Sequence, residues 1–270
     1  MTFSLGPRAI SAGYRLAAFE SIGSTNAEAL SRARDGERGP IWFVTSQQTA
    51  GRGRRHRPWI APRGNLACSV LEIIEVSPAI AATLGFAAGL ALEVALQKVS
   101  VEASLRSAGS DHVKFSLKWP NDVLAGGQKL AGILLEAEAV TNDRLAVVVG
   151  IGTNVVAAPE GTPTPATSLT ALGVNISAEE LFATLSDAWA EFRGVWDNGR
   201  GFGEIRRLWL ERAAGLGQKV TVQNGGSIVE GTFDTLDEAG CMVVRTSDGG
   251  LVPISAGDVY FGSAASAGAV

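Results

Sequence analysis

Cysteine and histidine are scarce in this chain, and their scarcity removes whole classes of chemistry. Cys68 lies in an apolar run and Cys241 sits beside Gly240 and Met242, far away in sequence. Two such residues form no disulfide framework, and they suit a reducing cytoplasm. The two histidines, His56 and His112, cannot supply a multi-histidine metal site. A surplus of positive charge is also missing. Lys and Arg number 23 against 27 Asp and Glu, a formal net charge of -4. That balance argues against a general nucleic-acid-binding surface. The opening MTFSLGPRAISAGYRL has no apolar core long enough for a signal peptide. The longest apolar run, residues 79–92, stops at Glu93, well short of the ~20 residues a membrane span needs. It reads as a buried core helix, so no membrane association is expected.

Apolar material, by contrast, is ample. With 46% hydrophobic and 19% charged residues in 270, the chain can bury a sizeable core in one large domain, or in one large and one small. Thr25 and Glu28 have the spacing of a capping box, which predicts a helix over 25–34. A β-rich run predicts a buried strand at 41–45, then a long polar loop at 47–63, then a strand at 65–72. The apolar run predicts a helix over 79–98, and 102–112 reads as a surface connection. Strands are expected at 115–119, 129–139 and 144–154, with a tight turn at 125–128. A Pro/Thr-rich loop follows at 157–167, then helices at 179–196 and 202–214. At Gly215-Leu216-Gly217 the pattern changes to short strands separated by turn residues, the signature of a small β-barrel. The expected division is 1–215 and 216–265, with a frayed tail SAASAGAV beyond.

Against this mildly acidic background one segment stands out: GRGRRHRPW, residues 51–59, with Arg52, Arg54, Arg55 and Arg57. Glycine lets a backbone approach a ligand closely, and arginine presents a planar fork matched to phosphate or carboxylate. Gly51 and Gly53 alternating with arginines therefore read as an anion site in which amides and guanidiniums converge. The competing reading is a solvated basic loop that contacts nucleic acid.

Three further clusters could carry chemistry. Ser24, Thr25 and Asn26 either cap a helix or bind a small polar group, and Gln48 could add a paired donor and acceptor. In KWPNDV, residues 118–123, Pro120 fixes the chain just past a strand and Trp119 reads as core. Asn121 and Asp122 could simply make a turn. Lys118, Asp122 and Lys129 are nonetheless charges embedded in apolar sequence, where unpaired charge is costly. Lys129 opens the apolar strand KLAGILLE, so its ammonium could be aimed at a bound anion. GIGTN, residues 150–154, is either a plain strand end or a strand end facing a ligand.

The order STN, QxxGRGRR, KWPNDV, KLAGILLE, GIGTN and a C-terminal β-unit resembles biotin protein ligase and covers nearly the whole chain. The resemblance implies an α/β (α+β) catalytic domain related to class II aminoacyl-tRNA synthetases, with a mixed sheet, plus an SH3-like barrel. It implies a ligase that uses ATP and Mg2+ to make biotinyl-5′-AMP from biotin, then biotinylates a lysine of a biotin carboxyl carrier domain. By position, Ser24, Thr25, Asn26 and Gln48 would surround biotin's fused ureido ring. Arg52, Gly53, Arg54 and Lys129 would lie along the carboxylate–phosphate junction, with Arg52, Arg54 and Lys129 catalytic and Gly51 and Trp59 in the same binding loop. Gly132 would line the biotin cleft through its backbone. Asn121 and Asp122 would order the nucleotide side, and Asn154 would meet the ribose or adenine. The metal ligands are not implied. His56 departs from the glycine common in the family. Only about two dozen residues precede STN, so a form without the family's DNA-binding domain is expected; a homodimer is left open. Lipoate–protein ligase is the nearest alternative. A nucleic-acid-binding module is a more distant one, which would neutralise about four phosphates and show a log–log salt slope of about −3.6.

Overall fold

The computed structural model describes residues 2–107, 113–141, 143–162, 164–224 and 226–261, and of His56 and Ser107 the backbone alone. The expected frayed tail, the end of the 102–112 connection, the last residues of the C-terminal unit, and the side chains of both histidines lie outside the described residues.

Among the described residues the helices are α1 (Pro7–Ser11), α2 (Thr25–Arg34), α3 (Pro78–Ala82), α4 (Leu84–Ser107), α5 (Ala178–Trp196) and α6 (Phe202–Leu210). The strands of the larger sheet are β1 (Arg15–Phe19), β2 (Ile41–Thr45), β3 (Leu66–Ile74), β4 (Phe115–Lys118), β5 (Asp122–Ala125), β6 (Gln128–Ala139) and β7 (Leu145–Thr153). They lie in the order β1-β2-β3-β7-β6-β5-β4. β1 and β2 are parallel, joined through α2, and every other neighbouring pair is antiparallel, so the sheet is mixed as expected.

The smaller antiparallel sheet contains β8 (Lys219–Asn224), β9 (Ser227–Leu236), β10 (Met242–Arg245), β11 (Leu251–Ile254) and β12 (Asp258–Phe261), in the order β11-β10-β9-β8-β12. Trp119, core as expected at 2% exposure, joins the sheets by donating its indole N–H to the Gly240 carbonyl at 3.0 Å.

The larger sheet is covered on both faces, and strand alternation assigns each residue to one of them. Ile41 and Phe43 of β2 pack with Ala29, Leu30 and Ala33 of α2. Trp42 and Val44 face the main core beneath α4 and α5, where Trp42 meets Phe182 and Trp189 edge-on. The helical stretch Pro78–Arg106 is long and apolar enough to cross a membrane by length and composition, but 72% of its apolar window is buried inside the protein. It is the central helical segment of the core, made of α3 and most of α4.

Four expectations need correction. The helix predicted over 79–98 is two helices that run to Ser107, so 102–107 are helical rather than a connection. α1 and β1 had no sequence signal. β5 was hidden in the KWPNDV motif, whose charged residues masked a four-residue strand. The cap of α2 is Ser24, not Thr25. Ser24 is extended and accepts the Ala27 N–H at 3.4 Å, while Glu28 pairs with Arg32 at 2.7 Å instead of reaching back.

Candidate active site

Two rows of directly opposed residues build the floor of the site. Asp122, Gly132, Gly152 and Ala67 form one row across β5, β6, β7 and β3, and Leu134, Gly150 and Ser69 form the next. Directly paired residues share a face of a sheet, here the α2 face. The N-terminus of α2 packs on the Ser69–Gly150 row, and Trp59 lies over the Gly132–Gly152 row. The small side chains are required by close neighbours. A Cβ on Gly150 would fall 2.0 Å from Asn26 Oδ1, and one on Gly152 would fall 2.5 Å from the Trp59 indole. The floor belongs to a cavity of about 300 Å³.

One end of the cavity is a buried polar cluster at the start of α2. Ser24, Thr25 and Asn26 are 8%, 3% and 4% exposed. Gln48 Oε1 accepts from the Thr25 N–H at 2.9 Å and lies 3.2 Å from the Thr25 hydroxyl. Asn26 Nδ2 donates to the Leu134 carbonyl at 3.2 Å and to Glu136 at 2.8 Å. Ser69 donates to Asn26 Oδ1 at 2.5 Å and lies 2.7 Å from the Thr25 hydroxyl.

The other end is cationic. The polar loop at 47–63 contains a small hairpin, in which Trp59 N–H donates to Gly51 O at 2.9 Å and Gly53 N–H to Arg57 O at 2.7 Å. Gly51 is fixed by crowding, since a Cβ there would fall 2.4 Å from the Trp59 carbonyl. Arg54 donates to Asn121 Oδ1 at 2.9 Å, and Asn121 in turn is held to Ile133 of β6 by its side chain and its carbonyl. Burial lowers the Arg54 pKa, opposed by the charges of Asp258 and Asp122. Arg52 pairs with Glu136 at 3.4 Å. Lys129 Nζ lies 2.7 Å from Asp122 and 5.6 Å from the Trp59 ring centre. Lys118 is pulled below its ordinary pKa by burial and by the Lys129 charge, with Asp122 and Asp258 opposing. Such a cluster can hold an anion and stabilise charge that develops on it.

Asn154 borders the cavity at the end of β7. Its Nδ2 donates to the Thr167 carbonyl at 3.1 Å, while its Oδ1 is buried with no partner among the described residues. The loop at 157–167 pairs with the start of β6, where the Lys129 N–H meets the Pro165 carbonyl. Every candidate site residue from the sequence borders the cavity except Gly51, which shapes the hairpin beside it.

Residues 18–154, half of the chain, match the model of the biotin/lipoate A/B protein ligase family, and residues 215–262 match the biotin protein ligase C-terminal domain. The chain belongs to the biotin protein ligase family. It is 38% identical to a biotin–[acetyl-CoA-carboxylase] ligase of Paracoccus denitrificans over 88% of this chain and 97% of that one. It is 36% identical to the enzyme of the same name from Mycobacterium tuberculosis, over 88% of this chain and 85% of the relative. A solved structure of biotin protein ligase from Aquifex aeolicus in complex with biotin and ATP superposes with a TM-score of 0.72 at 25% identity, covering 92% of this chain and 98% of that one.

Sequence reading within this family missed three contributors. Ser69 was concealed in the apolar strand LACSVLEII, where only strand parity shows that it faces α2. Glu136 ended a recognised motif but carried no sign that it would bind both Asn26 and Arg52. Asp258 belongs to β12 of the smaller sheet and reaches the arginine hairpin from about 200 positions away in sequence.

Proposed function

We propose that the chain is an ATP-dependent biotin protein ligase. It forms biotinyl-5′-AMP and transfers the biotinyl group to a lysine of a carboxylase's biotin carboxyl carrier domain. The observation that carries this reading is a single slot with a neutral, hydrogen-bonding end, a glycine floor and a cationic end. That sequence of environments suits a cyclic urea, an apolar chain and a carboxylate, in that order.

In this reading Ser24, Thr25, Asn26 and Gln48 bind the ureido group and Gly132 lines the cleft. Arg52, Gly53, Arg54 and Lys129 hold the carboxylate beside the α-phosphate. Two anions must meet there, and fixed cations offset their repulsion. The carboxylate oxygen attacks the α-phosphorus, the bond to the bridging oxygen breaks, and pyrophosphate leaves. The carrier lysine's neutral amine then attacks the acyl carbon, and AMP leaves. Trp59 packs over the floor and excludes water from the anhydride. The unpartnered Asn154 Oδ1 offers an acceptor to an adenine amino group or a ribose hydroxyl.

Among the described residues no three His, Cys, Asp or Glu side chains converge as a metal site. Mg2+ would enter with ATP and would neutralise phosphate charge. We also read residues 1–215 as the catalytic unit and 216–265 as the SH3-like unit, acting in the cytoplasm.

Incubation with ATP, Mg2+, biotin and a carrier domain, followed by intact-mass measurement, should show one added biotinyl group. Addition of a lipoyl group under parallel conditions, with none from biotin, would assign the chain to lipoate transfer instead.

A further inference from the structure

The arginine hairpin divides its side chains between two sheets. Arg54 points to Asn121 on the larger one. Arg55 and Arg57 both donate to one oxygen of Asp258, on β12 of the smaller one, at 2.8 and 3.0 Å. The turn that achieves this puts Arg55 at φ 55°, a left-handed conformation a non-glycine residue seldom takes. β12 is itself seated tightly. Its Phe261 stacks against the boundary glycine, where a Cβ on Gly215 would fall 2.2 Å from the ring, and the same ring lies 5.5 Å below the Lys118 ammonium.

We propose that Asp258 is a positioning residue for adenylate formation: a latch through which the C-terminal sheet holds the arginine hairpin closed over the slot. The carboxylate borders the cavity, and its hydrogen bonds come from Arg55 and Arg57. It acts through Arg55 and Arg57, while Arg52 and Arg54, held by Glu136 and Asn121, border the same cavity. One carboxylate against two guanidiniums leaves the hairpin net positive, so the latch does not neutralise the anion site. Both pairs are half-exposed, with Arg55, Arg57 and Asp258 side chains 43%, 65% and 27% accessible. Pairs of that kind are individually weak, which suits a contact that must open for substrates and products.

This inference rests on the ligase reading for its kinetic arm alone, and its second arm needs no activity. Asp258→Asn should slow biotin-dependent ATP–pyrophosphate exchange by roughly three- to tenfold, the size of two weak pairs lost together. Without ligand it should raise tryptic cleavage after Arg54 or Arg55 by a similar factor, since cleavage tracks the open population. Asp258→Glu should restore at least half of both properties. In an Arg55→Ala/Arg57→Ala background, Asp258→Asn should change neither rate further. Wild-type exchange and cleavage in Asp258→Asn, or an undiminished effect of that change in the arginine-less background, would overturn the latch. A wild-type protein that fails to adenylate biotin while its cleavage follows the prediction would sink the ligase reading and leave the latch standing.

Discussion

The two ends of the slot are built on opposite principles. At the α2 end, Ser24, Thr25, Asn26 and Ser69 are almost wholly buried and are held by hydrogen bonds among themselves and with Gln48, Leu134 and Glu136. At the hairpin end, Arg52, Arg55 and Arg57 stand exposed on a loop and, together with Lys129, reach carboxylates on three separate elements, Glu136, Asp258 and Asp122. A neutral polar group can be recognised by a rigid buried set because satisfied hydrogen bonds cost little to bury. Charge cannot be buried so cheaply, and the anions must come and go, so the cationic end stays on a loop and borrows counter-charges. One site thus holds a preformed recognition end and an adjustable reactive end side by side.

The largest expected effect tests the reactive end. Lys129→Ala should slow adenylate formation by roughly 10²–10³, the loss of one donor at developing charge. Its biotin affinity should change far less, as measured by calorimetry without ATP. An equal loss in both would erase the distinction between the ends.

Gly150→Ala should strike the rigid end. A Cβ 2.0 Å from Asn26 Oδ1 must displace a buried, hydrogen-bonded side chain. We expect a loss of about 1–3 kcal/mol in stability by chemical denaturation, with weakened biotin binding. An unchanged protein would mean that Asn26 has slack the structure does not show.

Ser69→Ala removes the donor to Asn26 Oδ1 and should cost about 1–2 kcal/mol of biotin affinity or stability. Arg54→Ala tests the opposite end at similar size: it should let the intermediate leak, read as adenylate in the filtrate of a spun reaction. Full retention would detach Arg54 from the hairpin's closing role.

The smallest effect belongs to the exposed pairs. Arg57→Ala should change the adenylation rate by less than about fivefold and lose its effect in high salt, because half-exposed pairs are weak and screened. A salt-independent, hundredfold loss would show that the hairpin is as rigid as the α2 end.

Most of the architecture was legible in the chain. α2, β2 and the last two long helices announced themselves by period and composition, and the shift to short strands after Gly217 marked the second sheet. β5 was not legible, because a four-residue strand inside a charged motif looks like a turn. β1 failed for a related reason: it is a five-residue edge strand with no fully buried residue, and its short apolar run carries no strand-specific pattern. The cap of α2 was misplaced by one residue because Thr25, and not Ser24, has a glutamate three positions on. The decision came from Gln48 and Ser69, which claim the Thr25 hydroxyl.

By itself the sequence determined the local pieces: the glycines that admit close backbone approach, the arginine hairpin, the polar triplet at a helix start, and the lysine that opens an apolar strand. These depend on neighbours a few residues away, and short-range sterics and hydrogen bonding write them into residue types. The tertiary structure decided which of these groups meet. Strand parity turned Ser69 toward α2, cross-strand register lined up Gly132 with Gly152, and the docking of the smaller sheet brought Asp258 to Arg55 and Arg57. Such pairings depend on how strands and sheets are placed in space, and no local pattern in the chain encodes that placement.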